Sequence, residues 1–248
     1  ADLDNTDRLV TLKDDCRKLG LELEAPSVNR SSYPFSVAGD RAILYGLGAI
    51  KGVGRAAVEA LIAERGRNGP FASLAEFCRR VDHDKVNRRA LEAMVKSGAM
   101  DDFGQSRRAL MHQVPEALKS ADQHARAQAA GQNDMFGLEA TPEPDDTPVS
   151  VDMDEWPERL LLSSEKEALG LYLTGHPFHA VRADARCFVD GTLAELAAEP
   201  PPQTARGARD YSQSRREVTI AGLVVDVRKR GNRISVVLDD DTGRMEVG

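Results

Sequence analysis

The 248-residue sequence predicts a multidomain protein that is mainly α-helical and ends in a small region of β-strands. Three observations carry this prediction. Apolar residues recur at helical spacing through most of the first 120 residues. A polar stretch rich in Gln, Ala, Asp, Glu and Pro then interrupts the pattern, from about Ser120 to Pro157. The final segment, "EVTIAGLVVDVRKRGNRISVVLDDDTGRMEVG", is rich in β-branched residues and contains two turn signals.

Composition excludes several classes of protein. Apolar runs are too short to cross a bilayer and no signal peptide heads the chain, so we expect a cytoplasmic protein without a membrane partner. The cysteines lie far apart without a CxxC pair, which indicates neither a zinc site nor a disulfide framework. Because the sequence starts at Ala1 without a methionine and stops at Gly248 within a strand-like pattern, we expect a piece of a longer protein.

The first elements are a helix and two short strands. Leucines recur at helical spacing up to Gly20, where we expect the first helix to end. Alternating apolar residues predict short strands over Tyr33–Val37 and Ile43–Tyr45. The second strand leads into the glycine-rich stretch "GLGAIKGVG", and an apolar stripe after it predicts a helix from Arg55 that ends at Gly66.

Two further helices follow, each with a capping signal. Ser73 and Glu76 have the spacing of a capping box, and Asn87 is placed to cap the next helix after a polar hairpin over Asp82–Asn87. Glycine at position 98 is expected to close that helix. The sequence therefore predicts two helix-hairpin-helix units in tandem.

The second half of the chain begins with an acidic linker. Residues 132–167 contain 2 Lys/Arg against 11 Asp/Glu, and such a polar stretch cannot bury enough apolar surface to order itself. Ser164 and Glu167 form a second capping-box pattern, which predicts a helix starting there. The strands near the C-terminus are expected to turn at Gly231-Asn232 and Thr242-Gly243.

The glycine-rich stretch suggests an anion-binding loop. It lacks the GxxxxGK order of a Walker loop, and its GxGxxA match to a dinucleotide fingerprint is followed by a predicted helix where that fingerprint needs a strand. The alternative is a hairpin whose backbone N–H groups meet a phosphate at the start of a helix. A tight interhelical turn without any ligand also explains the glycines, but residues 41–108 carry 13 Lys/Arg against 8 Asp/Glu.

Both predicted hairpins carry candidate residues for holding phosphates on either side of a duplex. Such contacts come from backbone N–H groups and basic side chains and read no base. The predicted DNA-binding residues are Lys51, Gly52, Val53, Gly54 and Arg55 in the first unit and Lys85, Asn87, Arg88 and Arg89 in the second.

Five stretches resemble, in family order, the bacterial replicative DNA polymerase III alpha subunit. "GLGAIKGVGRAAVEALI", "FASLAEFCRRVD" and "VNRRALEAMVKSGAMDDFG" are similar to its tandem helix-hairpin-helix region. "SSEKEALGLYLTGHPF" and "VTIAGLVVDVRKRG…LDDDTGRMEV" are similar to the segments after it, the latter opening an OB-fold, a small β-barrel. The resemblance implies the end of a fingers domain over 1–40, tandem helix-hairpin-helix over 41–109, a linker over 110–162, a helical connector over 163–214 and a truncated OB-fold over 215–248.

The resemblance also implies what this chain lacks. The polymerase palm, with its metal-binding aspartates and magnesium, is expected upstream, so no catalytic residue, metal or cofactor is assigned here and the chain alone is expected to be inactive. Asp239–Asp241, beside Thr242-Gly243, are interpreted as a hairpin turn and not as those aspartates. His176 and His179 have the spacing of a metal pair but no third ligand, so a structural role is favoured.

A clamp-binding motif and a single-strand site are further implications. Residues 132–136, "QNDMF", resemble the pentapeptide by which this family docks on the sliding clamp, with Gln132, Asp134, Met135 and Phe136 as its candidates; packing against a neighbouring domain is the alternative. Basic residues in the predicted loop between the first two OB-fold strands are candidates for single-stranded DNA, although a solvated basic turn explains them nearly as well. They are Arg228, Lys229, Arg230 and Arg233.

The implied partners are duplex DNA, the sliding clamp and other replicase subunits. Two rival functions stay open. A free-standing helix-hairpin-helix DNA-binding protein would carry the same hairpins without a polymerase, and a nucleotide-dependent enzyme would use residues 52–57 as a cofactor loop.

Overall fold

The computed structural model describes residues 6–82, 85–129, 152–198, 217–231 and 233–248. Contacts divide the chain into two compact units, Ala1–Thr174 and Gly175–Gly248. In the described ranges, every helix is too short or too polar to span a membrane.

The first unit opens with a helix and a small mixed sheet. Helix α1 (Thr6–Lys18) ends as predicted at Gly20, whose φ of +67° is a conformation that glycine adopts without strain. Strand β1 (Glu22–Glu24) pairs in parallel with β3 (Ala42–Leu44), and β2 (Ser36–Val37) pairs antiparallel with the other edge of β3. The sheet leads the chain directly to the glycine-rich stretch.

A single 3-10 turn, Leu47–Ala49, precedes the glycine hairpin where the tandem prediction required a full helix. Helix α2 (Arg55–Asn68) follows the hairpin, and the predicted end at Gly66 is wrong. Helix α2 continues through that glycine to Asn68, and the residue that ends it is Gly69, whose φ of +82° favours glycine.

The second of the two predicted helix-hairpin-helix motifs has a full helix on each side of its hairpin. Helices α3 (Leu74–Arg80) and α4 (Arg88–Lys96) begin at the residues that the capping patterns indicated. The Ser73 side chain accepts a hydrogen bond from the Glu76 N–H at 3.1 Å, and Asn87 Oδ1 accepts one from the Ala90 N–H at 2.9 Å. Both caps are confirmed.

The prediction of a linker over 110–162 is wrong for residues 110–129, because helix α5 extends over Arg107–Ala129. It packs on α3 and α4 through Leu110, Val114, Ala117 and Ala121, all buried. The last two recur at helical spacing but are small, so their apolar stripe is weak in the sequence while the close helix contact buries it well.

The cap predicted at Ser164 is wrong. Helix α6 (Glu158–Leu169) begins six residues earlier, after Pro157, and Ser164 is buried in its middle. Proline is well suited to a helix start because it lacks an N–H group, and the apolar run through Leu162 extends the buried face toward it.

The core of the first unit is continuous from α1 to the end of α6. It therefore joins the residues predicted as the end of the fingers domain to both hairpins. Its largest fully buried side chains are Tyr45, Leu47, Ile50, Leu61, Leu74, Phe77, Leu91, Met94, Met100, Leu110 and Leu169.

The second compact unit, Gly175–Gly248, contains two short helices, α7 (His179–Ala185) and α8 (Leu193–Ala198), and an antiparallel sheet. Strands β4 (Leu223–Arg230), β5 (Arg233–Asp239) and β6 (Arg244–Val247) are hydrogen-bonded in sequence order, as the turn signals predicted. A register shift between Val224 and Asp226 places a β-bulge in β4.

Candidate nucleic-acid interface

Residues 50–54 form a hairpin, here called the glycine hairpin, that packs against the core on one side and is exposed to solvent on the other. Ile50 and Val53 are buried in the core, and Lys51 donates its backbone N–H to the Ala168 carbonyl of α6 at 2.8 Å. The side chain of Lys51 and the whole of Gly52 are exposed. The packing therefore presents one turn of backbone and one lysine to the solvent.

The four glycine positions of this stretch differ in the structural reason that favours glycine. A Cβ on Gly46 or Gly48 would meet the segment that carries Tyr33, at 2.5 and 2.6 Å respectively, so these two glycines permit a close internal approach. Gly52 has φ +85°, which favours glycine at this turn. Gly54 has an ordinary φ of −76°, and a Cβ there would contact nothing within 4 Å. Gly54 is the N-cap of α2, a position that favours glycine over alanine, and it leaves the backbone there open to the solvent.

Several amides at this hairpin remain available to a ligand. Within the described part of the chain, the N–H groups of Gly52 and Gly54 donate to no protein acceptor, and α2 begins without a side-chain cap. Val53 was a predicted contact, but its side chain is buried and its N–H donates to the Ile50 carbonyl at 3.2 Å. Helix N-termini of this kind bind anions through free N–H groups and the helix dipole.

The second hairpin presents basic side chains more than bare backbone. Val86 is buried and holds the loop in the core, while Lys85 is exposed and lies 3.4 Å from the Asp82 carboxylate. Asn87 is occupied as the cap of α4, and Arg88 pairs with Glu92 at 2.7 Å.

Tertiary packing brings the first hairpin and the start of α4 to one groove of about 650 Å³. It is lined by Lys51 and Gly52 of the first hairpin and by Arg88 and Arg89, the first two residues of α4. The groove thus unites four of the nine predicted DNA-binding residues. Its remaining lining residues are Glu92, Ala93 and Lys96 of α4 and Glu167 and Ala168 of α6.

The sequence did not indicate that Lys96 and helix α6 would line this groove. Lys96 lies seven residues after Arg89, two turns along the same face of α4, and this spacing could have identified it. No comparable signal marks Glu167, since it lies 71 residues further along the chain and reaches the groove only through the packing of α6.

The groove keeps uncompensated positive charge. Among the described residues, the side chains of Lys51 and Arg89 have no acidic partner within ion-pair distance. Arg55 lies outside this groove, where its guanidinium sits 4.5 Å above the Tyr33 ring and 3.6 Å from Glu59. That position is on a second concavity, of about 370 Å³, which shares Lys51 and Gly52 with the first and is also lined by Gly54.

Part of the basic surplus in this segment is structural. Arg65 donates to the carbonyls of Val28 and Ser31, and Arg80 pairs with Glu64 and Glu76 beside the end of α2. These arginines join neighbouring elements and are not free to contact DNA. The charge count alone therefore overstated the available positive surface.

The predicted single-strand residues lie in strands and not in a loop. Arg228, Lys229 and Arg230 end β4, and Arg233 begins β5. Arg228 is paired with Asp226 at 2.8 Å and Glu246 at 2.9 Å.

The histidines and aspartates of the second unit contact one another. His176 Nε2 lies 3.3 Å from Asp239 Oδ1, and His179 Nε2 lies 2.9 Å from Asp241 Oδ2. Burial raises the pKa of Asp239, but the nearby His176 and the hydrogen bond from Arg244 outweigh it and hold the pKa well below its usual range. No group of three or more potential metal ligands occurs in the ranges that the structure covers.

The Asp240 carboxylate organises the turn. It accepts hydrogen bonds from the N–H groups of Thr242 and Gly243, and from the Leu193 N–H at the start of α8. Asp240 therefore has its acceptor capacity occupied inside the protein, in agreement with its interpretation as a turn residue. The predicted clamp-binding residues, Gln132, Asp134, Met135 and Phe136, lie outside the described residues.

The structure contradicts the cofactor-loop alternative. A dinucleotide fingerprint requires a strand after the glycine-initiated helix, and α2 is followed by a turn and α3. Residues 20–110, which include both hairpins, match the family described as a helix-hairpin-helix motif.

Three curated relatives extend the similarity over the whole chain. The chain is 44% identical over 253 residues to the DNA polymerase III subunit alpha of Escherichia coli K12. The corresponding values are 42% over 255 residues for Vibrio cholerae and 40% over 253 residues for Xylella fastidiosa Temecula1. The matches cover 99 to 100% of this chain. By sequence, the chain belongs to the DNA polymerase III alpha subunit family. It spans 21% of the length of each of these relatives.

Proposed function

We propose that the helix-hairpin-helix region holds duplex DNA by its phosphate backbone. The observation that carries this proposal is the convergence of Lys51 and Gly52 with Arg88 and Arg89 around one groove. These groups are donors and cations, which suit phosphate oxygens, and none of them is arranged to distinguish one base pair from another.

Gly54 offers the sharpest test of this proposal. Gly54→Ala should lower the free energy of unfolding by no more than about 1 kcal/mol, because the added Cβ meets nothing, φ is ordinary and only the preference of the N-cap position for glycine is lost. A hydrogen bond to a charged group contributes about 1.5–3 kcal/mol, so blocking the approach to this amide should weaken duplex binding about tenfold or more. Fluorescence anisotropy with a labelled duplex measures the affinity.

Gly66→Ala is the matched control. Gly66 also has open space around it but lies inside α2, far from its N-terminus, so alanine there should stabilise the helix by about 1 kcal/mol and leave DNA binding unchanged. Equal binding by Gly54→Ala and the unaltered chain would contradict an approach of DNA to this backbone.

The basic residues provide a second test. Lys51→Ala and Arg89→Ala should each lower affinity about equally for all sequences and reduce the slope of log affinity against log salt by about one. A sequence-selective loss would contradict backbone-only contact.

We further propose that the whole protein is a DNA-directed DNA polymerase that acts in replication in the cytoplasm, with other replicase subunits as partners. The names of the relatives support this proposal. Magnesium and the catalytic aspartates are then assigned to a palm domain elsewhere in the whole protein. Primer extension should require the longer protein, and extension by this chain alone would contradict that assignment.

The rival is a free-standing helix-hairpin-helix DNA-binding protein. Its gene would end near these residues on both sides, whereas the alpha subunits matched here are about five times as long, since the chain covers 21% of each. The length of the intact reading frame separates the two proposals.

Clamp tethering is proposed on the sequence of residues 132–136 alone. Met135 and Phe136 are large apolar residues in a polar, acidic stretch, as expected of anchors for a groove on a partner. Replacing both with Ala should abolish pull-down by the sliding clamp and leave duplex binding unchanged; retained clamp binding would contradict the motif assignment.

We also propose that the C-terminal strands open an OB-fold that contacts single-stranded DNA. The antiparallel order β4-β5-β6 and the exposed Lys229, Arg230 and Arg233 support it, while the ion pairs of Arg228 weaken its own contribution. Lys229→Ala with Arg230→Ala should weaken binding of a labelled single strand; unchanged binding would favour a solvated basic turn.

A further inference from the structure

One ion pair in the groove has no part in the phosphate binding proposed above. Lys96 Nζ lies 2.8 Å from Glu167 Oε1, and both side chains line the groove beside Lys51 and Arg89. The side chain of Lys96 is 27% exposed and that of Glu167 is 67% exposed. The lysine is therefore partly sheltered in the groove, while its acidic partner faces the solvent.

We propose that Lys96 is an additional phosphate-binding residue and that Glu167 competes with DNA for it. This inference rests on the proposed binding of duplex DNA. Lys96 is placed for the task, since it lies two helical turns from Arg89 on α4, about 10 Å along the same groove wall. In the free protein its ammonium group is held by a carboxylate, the same type of anionic oxygen ligand that a phosphate supplies.

An exchange of partners is physically easy at this site. Exposed ion pairs are weak and are screened by salt, so a polyanion of high charge density can replace a single carboxylate. Glu167 can then turn outward, because its side chain is mostly exposed and no hydrogen bond other than that from Lys96 holds it among the described residues.

Helix α6 itself does not need to move. The Ala168 carbonyl accepts the Lys51 backbone N–H, which ties this helix to the glycine hairpin. Glu167 is consequently kept at the edge of the groove, where its charge opposes binding. Glu92, the other acid of the groove, is paired with Arg88 and does not contact Lys96.

The test measures duplex affinity of the full chain at several salt concentrations. Glu167→Gln should raise affinity about twofold to fivefold, because the DNA no longer has to displace a carboxylate from a weak ion pair with Lys96. Lys96→Met should lower affinity and reduce the salt slope by about one, while Lys96→Arg, which keeps the charge, should retain that slope.

Glu158→Gln is the matched control, since Glu158 is an exposed acid on α6 that does not line the groove. The Glu158→Gln variant should bind duplex DNA with the same affinity as the unaltered chain. Circular dichroism verifies that each variant is folded.

Competition for Lys96 and simple charge repulsion by Glu167 predict different duplex affinities for the double variant that combines Glu167→Gln with Lys96→Met. If Glu167 competes for Lys96, the gain from Glu167→Gln should shrink when Lys96 is replaced by Met. The same gain in both backgrounds, or no gain at all, would overturn the inference. Failure of the unaltered chain to bind duplex would instead remove the proposed function, whereas normal binding with no effect of either substitution removes this inference alone.

Discussion

Replacement of Arg107 should strongly destabilise the first unit. Its side chain is 5% exposed and forms three hydrogen bonds to the Asp101 carboxylate, at 2.8 to 3.2 Å. It also donates to the Lys96 carbonyl at 3.3 Å and to Glu165 Oε1 at 3.5 Å. The fully buried Glu165 accepts the N–H groups of Leu173 and Thr174. Arg107 therefore connects the ends of α4, α5 and α6.

The magnitude follows from what Arg107→Met leaves behind. Removing one partner of a buried ion pair costs about 3–5 kcal/mol, because the remaining charge is uncompensated. Asp101 is 47% exposed and can be hydrated again, whereas Glu165 is inaccessible to water and keeps only its uncharged donors. We therefore expect Arg107→Met to lower the free energy of unfolding by about 3 kcal/mol, since methionine retains much of the packing.

Urea unfolding followed by circular dichroism measures this change. Arg108→Met is the matched control, because the neighbouring Arg108 is exposed and its replacement should change the free energy of unfolding by less than about 0.5 kcal/mol. A loss below about 1 kcal/mol for Arg107→Met would refute the reasoning, since it would mean that Glu165 does not depend on the arginine.

Three further predictions concern single sites. Gly48→Ala should cost about 1–3 kcal/mol in urea unfolding, because its Cβ would lie 2.6 Å from the Tyr33 ring; an unchanged midpoint would contradict that close approach. Burial raises the pKa of Cys78 to about 12 whereas Cys187 is exposed, so iodoacetamide at pH 8 should label Cys187 in the native protein and Cys78 only after unfolding, as peptide mass spectrometry would detect; early labelling of Cys78 would count against its burial. The lowered pKa of Asp239 adds stability above its unfolded pKa of about 3.9, and this stability is lost as the pH falls through its folded pKa. Asp239→Asn should consequently flatten the dependence of the free energy of unfolding on pH below about pH 4, and an unaltered dependence would argue against the pairs with His176 and Arg244.

Local signals in the sequence located most elements correctly. Capping by Ser73 and Asn87 depends on side chains that hydrogen-bond within three residues, so the sequence contains the whole interaction. The strand turns are equally local. The predictions failed where two local signals competed, as at Gly66 and Gly69, or where the buried stripe consisted of small residues, as at Ala117 and Ala121.

The candidate site divides in the same way. Sequence alone identified both hairpins and their basic residues, because turn glycines and helix starts are short-range patterns. It did not distinguish Gly48, required by the approach of Tyr33, from Gly54, around which nothing packs. Those causes depend on segments that meet only in the folded chain.

What the sequence determined by itself is therefore the caps at Ser73 and Asn87, the starts of the helices that follow them and the turns between the C-terminal strands, together with the family of the chain. The tertiary structure decided which basic residues are available, since it uses Arg65, Arg80 and Arg107 inside the fold and leaves Lys51 and Arg89 in the groove. The physical reason is range: a cap or a turn is completed within a few residues, whereas a groove is formed by side chains from distant segments whose packing alone brings them together.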